Sequence, residues 1–127
     1  MPYIRHLKIE FLRRPSLSSR DWKFRIQDIL ASIQKIENYL ADLTLDQFKQ
    51  NELIIDAVVR NFEIIGEASK NIPLDIRKSH PMIPWEQMGG MRNVLIHEYF
   101  GVDVDTIWHT ANLHLSPLKK QLQVILS

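Results

Sequence analysis

A chain of 127 residues, 45% hydrophobic and 24% charged, has the make-up of one globular domain that buries roughly two thirds of its unfolded surface. With no cysteine, disulfides, zinc–thiolate sites and thiol nucleophiles are excluded. A net charge of +1 argues against binding nucleic acid by bulk charge. No apolar run approaches the roughly eighteen residues of a membrane span or forms a signal-peptide core, so the expected location is cytoplasmic.

The charge is unevenly spread. Residues 1 to 25 carry seven basic side chains against two acidic ones, an excess of +5, and the other 102 residues sum to −4. Arg13-Arg14-Pro15-Ser16 reads as a break. Residues 1–18 are therefore expected to be a basic N-terminal extension with no assigned fold, able to touch RNA phosphates, and residues 19–127 a helical domain.

From Asp21 to Leu43 the positions Phe24, Ile26, Ile29, Leu30, Ile33, Ile36, Tyr39, Leu40 and Leu43 predict a long amphipathic helix, capped by Ser19 or a neighbour. Thr44-Leu45-Asp46-Gln47 has the form of a capping box and marks a turn. Asn51 caps a second long helix with Leu53, Ile54, Ala57, Val58, Ile64, Ile65 and Ala68 as its apolar set, ending before Pro73. Arg60, Glu63 and Glu67 on that helix read as an intrahelical ion-pair ladder, or else Glu63 braces or lines a site built around Arg92.

Pro73 to Ser79 predicts a short helix, and His80 through Pro84 a connection. A helix from Trp85 to about Tyr99 follows, with Pro84 in its first turn. Gly89 and Gly90 interrupt it and predict close packing or a kink. Gly101 terminates it, Asp103 or Asp105 caps the next helix, and Ser116-Pro117 starts a final one through Leu126. No strand pattern or internal repeat occurs, so the fold class is all-α, an antiparallel helical bundle of four main helices plus short ones. Capping explains Asp103 and Asp105 better than metal binding, and His109 and His114 stand five apart without an acidic partner in register. No metal and no cofactor are expected.

Arg92-Asn93-Val94-Leu95-Ile96-His97-Glu98-Tyr99 sets a guanidinium, an amide, an imidazole and a phenol among aliphatic residues. At about 100° per residue Asn93 and His97 share one row of a helix, and Arg92 and Tyr99 another. If they share a substrate, either the helix end distorts or a second copy of the chain supplies the other wall. The plainer reading makes His97 and Tyr99 partly buried bundle residues and Arg92 a surface ion-pair partner.

The spacing of Arg92, Asn93, His97 and Tyr99 resembles the active-site motif of the HEPN ribonucleases, and closely that of the HepT-like toxins. The likeness extends in order through Arg60 to Ile72, His80 to Trp85, Met91 to Tyr99 and Val102 to Trp108, and covers about Ser19 to Leu126. It implies a HEPN-like bundle and a metal-independent endoribonuclease toxin of a toxin-antitoxin pair. It also implies a homodimer whose paired motifs form one cleft, and a higher assembly of that dimer with its partner. Arg92 and His97 are then catalytic, with Asn93, Tyr99 and Glu63 supporting or contacting RNA. The implied partner is a minimal nucleotidyltransferase antitoxin that silences the toxin by adenylylating Tyr99. The alternative is a non-catalytic module of the same family that binds a nucleotide or scaffolds the nucleotidyltransferase.

Overall fold

The computed structural model describes residues 21–90 and 103–127, and every regular element among them is helical. The helices are α1 (Trp22–Leu40), α2 (Leu45–Lys49), α3 (Glu52–Lys70), α4 (Leu74–Ser79), α5 (residues 85–90, to the limit of the description) and α6 (Val104–Leu126). The all-α class follows from the sequence as expected. The basic extension, residues 1–18, lies outside the described residues.

In α1, Ile26, Ile29, Ile33, Ile36 and Leu40 recur at three and four, and all are buried. Phe24 and Tyr39, expected on that face, are exposed. Two residues from Ile26 is about 200° around the helix, so Phe24 cannot share its row. The helix also ends a turn before Leu43, which packs at the edge of the core from the connection.

The expected capping box is present. Thr44 Oγ1 accepts from the Gln47 backbone at 3.2 Å, while Gln47 Oε1 accepts from the Thr44 backbone at 2.9 Å. Asn51 caps α3 through Oδ1, which accepts from the Ile54 backbone at 3.1 Å. The inward face of α3 differs from the expected one: Leu53 is 80% exposed, and Val59, Asn61, Phe62 and Gly66 point inward with Val58, Ile65 and Ala68.

Pro84 precedes α5 and its carbonyl accepts from Met88 at 3.0 Å, so it caps the helix from outside the first turn. The helix runs through both glycines without a break. Close packing is the reason at Gly89, where a Cβ would stand 3.2 Å from Lys70 Cγ; at Gly90 it would meet nothing within 4 Å.

The expected restart at Ser116-Pro117 does not occur, because α6 is one continuous helix with Pro117 inside it. Proline there forfeits the bond to the Leu113 carbonyl. Leu113 and Pro117 both lie on the exposed side, while Leu115, Leu118 and Leu122 hold the inner face in the core.

α1 packs most extensively on α3 and then on α6. Lys119 Nζ binds Glu37 Oε1 at 3.0 Å and Gln34 Oε1 at 2.9 Å, and at the end of α1 Leu40, with Leu43 just beyond it, lies beside Ala111 and Asn112. Residue numbers rise on α1 as they fall on α6, so the two run antiparallel.

Candidate functional site

Arg92, Asn93, His97 and Tyr99 lie outside the described residues, which therefore neither bring them together nor separate them. What the structure supplies is the ground on either side. Gly89 lies against Lys70 and Ser69, at the C-terminal end of α3. The description resumes at Asp103, and Asp105 is bound by Lys49, three residues before α3 begins. The chain thus leaves beside one end of α3 and returns beside the other, a span of about 28 Å for its nineteen residues at 1.5 Å each.

Glu63 stands midway along that span. It shares a helical stripe with Val59, Gly66 and Lys70, at intervals of three, four and seven residues. Lys70 is the residue that Gly89 approaches, so Glu63 belongs to the side of α3 on which α5 packs. Its side chain is 27% exposed and lies 3.5 Å from Nη1 of the outward-facing Arg60, at the limit of an ion pair.

The return point is built by α2 and the first turn of α6. Phe48 is wholly buried and tilts against the Trp108 ring at 5.4 Å between centroids. Lys49 Nζ lies 2.8 Å from Asp105 Oδ1. Asp103 caps α6 through Oδ1, which accepts from the Asp105 backbone at 3.0 Å. The hydrogen bond and charge of Asp105, reinforced by Asp103 and Asp46, raise the Lys49 ammonium above its ordinary pKa of 10.5. The sequence reading missed this constellation. Its signal was present in a cationic last turn of α2 facing two aspartates, but only the fold brings positions 49 and 105 together.

The histidines among the described residues are His80, His109 and His114. His80 ends α4, and its backbone carbonyl accepts from Trp85 Nε1 at 3.0 Å. His109 and His114 are exposed on α6. Among the described residues no three His, Asp or Glu side chains are grouped to hold a metal ion. A groove of about 410 Å³ runs between α3, the 82–88 stretch and α6, floored by Phe62, Ile65, Met88, Leu115 and Leu118. No Lys or Arg lines it, and its polar lining is Gln87, Thr110, His114 and Gln121, so it lacks the fixed positive charge that holds a phosphate backbone.

The described helices define the class as a small all-α domain. Comparison with known proteins narrows it: residues 29–125 match the family described as HepT-like, ribonuclease HepT-like. A candidate RNase of Methanocaldococcus jannaschii is 43% identical over 110 residues, covering 87% of this chain and 95% of that protein. A second from the same organism is 38% identical over 109 residues, covering 86% of this chain and all of the relative. A protein of Thermococcus cleftensis named probable ribonuclease HepT is 42% identical over 104 residues, covering 82% of this chain and 94% of its own length. No solved structure matches. The chain belongs to the HepT-like ribonuclease family.

Proposed function

We propose that the protein is a metal-independent endoribonuclease, the toxin of a toxin-antitoxin pair, and that Arg92, Asn93, His97 and Tyr99 form its active site. The observation that carries the reading is the complete Arg-Asn-x3-His-x-Tyr motif inside the stretch that matches a ribonuclease family. Glu63 supports it, since its carboxylate stands on the side of α3 against which Gly89 packs, and Gly89 is three residues before Arg92.

Cleavage proceeds by attack of the ribose 2′-oxygen on the adjacent phosphorus. A base takes the 2′-hydroxyl proton, the bond to the 5′-oxygen breaks, and an acid protonates the leaving oxygen. The products are a 2′,3′-cyclic phosphate and a 5′-hydroxyl. An imidazole with an ordinary pKa near 6.5 exchanges protons in either direction near neutrality, which is the role of His97. The Arg92 guanidinium stays charged and offers a planar fork to the phosphate oxygens as charge builds on them. Asn93 orients the imidazole or contacts phosphate, and Tyr99 bonds the phosphate or stacks on a base. A homodimer with paired motifs supplies the second wall that one helix lacks.

A minimal nucleotidyltransferase antitoxin would silence the enzyme by adenylylating Tyr99, since the added phosphate blocks the cleft and occupies Arg92. The deciding experiment is RNA cleavage in EDTA by wild type and His97→Ala. Loss of cleavage in a folded variant is expected, and equal activity rejects the assignment. Tight complex formation with a nucleotidyltransferase and no cleavage of any RNA favours the scaffold reading instead. Mass spectrometry after co-expression with the neighbouring gene product should find AMP on Tyr99.

A further inference from the structure

We infer that Lys49 is a positioning residue for this reaction: its ammonium, latched to Asp105, fixes the point at which the motif-bearing stretch rejoins the fold. The inference rests on the reading above for its functional half, and on described residues for the latch.

α2 is only five residues long, too short to hold itself together, yet it is secured at both ends. The capping box fixes its start. Phe48, wholly buried against Trp108, fixes its last turn on α6. Lys49 therefore projects from a held platform. It reaches an oxygen of Asp105 that is sealed from solvent and accepts no hydrogen bond from any other described residue. The Asp105 backbone in turn binds Asp103, the first described residue after the motif.

Tyr99 precedes Asp103 by four residues and His97 by six, an arm of at most about 14 Å and 21 Å of extended chain. Asp103 is thus the nearest described point of the chain to Tyr99 and His97, and the latch bears on the proposed catalytic groups through the shorter of their two tethers. The pair itself is 45% and 38% exposed, and pairs that exposed stabilise a fold little. Removing Lys49 leaves the core intact and the Asp105 side chain still 38% exposed, so the effect on folding is small and the change falls on placement.

The test is Lys49→Met, with Lys49→Arg as the conservative variant, in the full chain and with a labelled RNA oligonucleotide. Lys49→Met is expected to lower kcat about tenfold and to leave KM within about twofold, because misplacement by a fraction of an ångström costs rate rather than affinity. Its melting temperature should stay within about 2 °C of wild type, and Lys49→Arg should restore most of the rate. Unchanged kcat in Lys49→Met overturns the inference, as does a loss that merely tracks lowered stability. Hydrogen exchange read on peptides covering residues 91–102 decides independently of activity. Faster exchange in Lys49→Met than in wild type is expected, and identical exchange overturns the latch. If wild type itself cleaves no RNA, the functional reading fails while exchange still judges the latch.

Discussion

At Asn61 the fold buries an amide on the inward face of α3. Its Nδ2 donates to the Ala57 carbonyl at 2.9 Å, but Oδ1 is sealed from solvent with no hydrogen-bond partner among the described residues. An acceptor left so costs about 1–3 kcal/mol of desolvation. Asn61→Leu, close in volume, should leave the melting temperature unchanged or raise it, and a clear fall would reveal a partner for that oxygen. Among the proposed catalytic groups, Arg92→Lys keeps the charge and loses the two-pronged fork. It should lower kcat by about a hundredfold, the scale of losing one aligned donor to a developing oxyanion. Glu63→Gln separates the two readings of that carboxylate. If it serves only Arg60, cleavage is unchanged; if it braces Arg92, kcat falls.

Among the elements, α5 carries the cleanest stability prediction. Gly90 is helical and a Cβ there meets nothing, so Gly90→Ala should stabilise the protein by about 0.5–1 kcal/mol in a denaturant titration. Gly89→Ala should gain less, because its Cβ must push Lys70 aside from 3.2 Å. The contact between α2 and α6 has a defined pH dependence. Lys49 is raised by Asp105, so its contribution is fully present below the unfolded pKa of 10.5 and is lost as pH rises through the higher folded value. Wild type and Lys49→Met should therefore show the same stability difference at pH 6 and pH 9, with the gap closing only in strong alkali.

For the whole molecule, the question is how RNA is held by a chain of net charge +1. The groove between α3 and α6 carries no Lys or Arg, and the basic excess sits in residues 1 to 25. If the motif cleft holds the substrate, deleting residues 1–18 should leave cleavage in place and reduce only the salt dependence of binding. Abolished binding would move the RNA site to the extension. No described helix is long and apolar enough to cross a membrane.

The sequence by itself determined what depends on local spacing. The α1 face of Ile26, Ile29, Ile33 and Ile36, the Thr44 capping box, the Asn51 cap, an aspartate cap on α6 and the all-α class follow from periodicity and from side chains that bond their own backbone within three residues; that the α6 cap is Asp103 and not Asp105 came from the structure. The family, too, was legible in the order of its blocks and the spacing of its motif. Only the tertiary structure decided that α6 runs through Pro117, since the burial of Leu115, Leu118 and Leu122 outweighs one lost hydrogen bond. It likewise decided that Phe24 and Leu53 face outward and that Lys49 meets Asp105 across 56 positions. Such pairings arise where helices dock, and docking is set by the whole core rather than by any window of the chain.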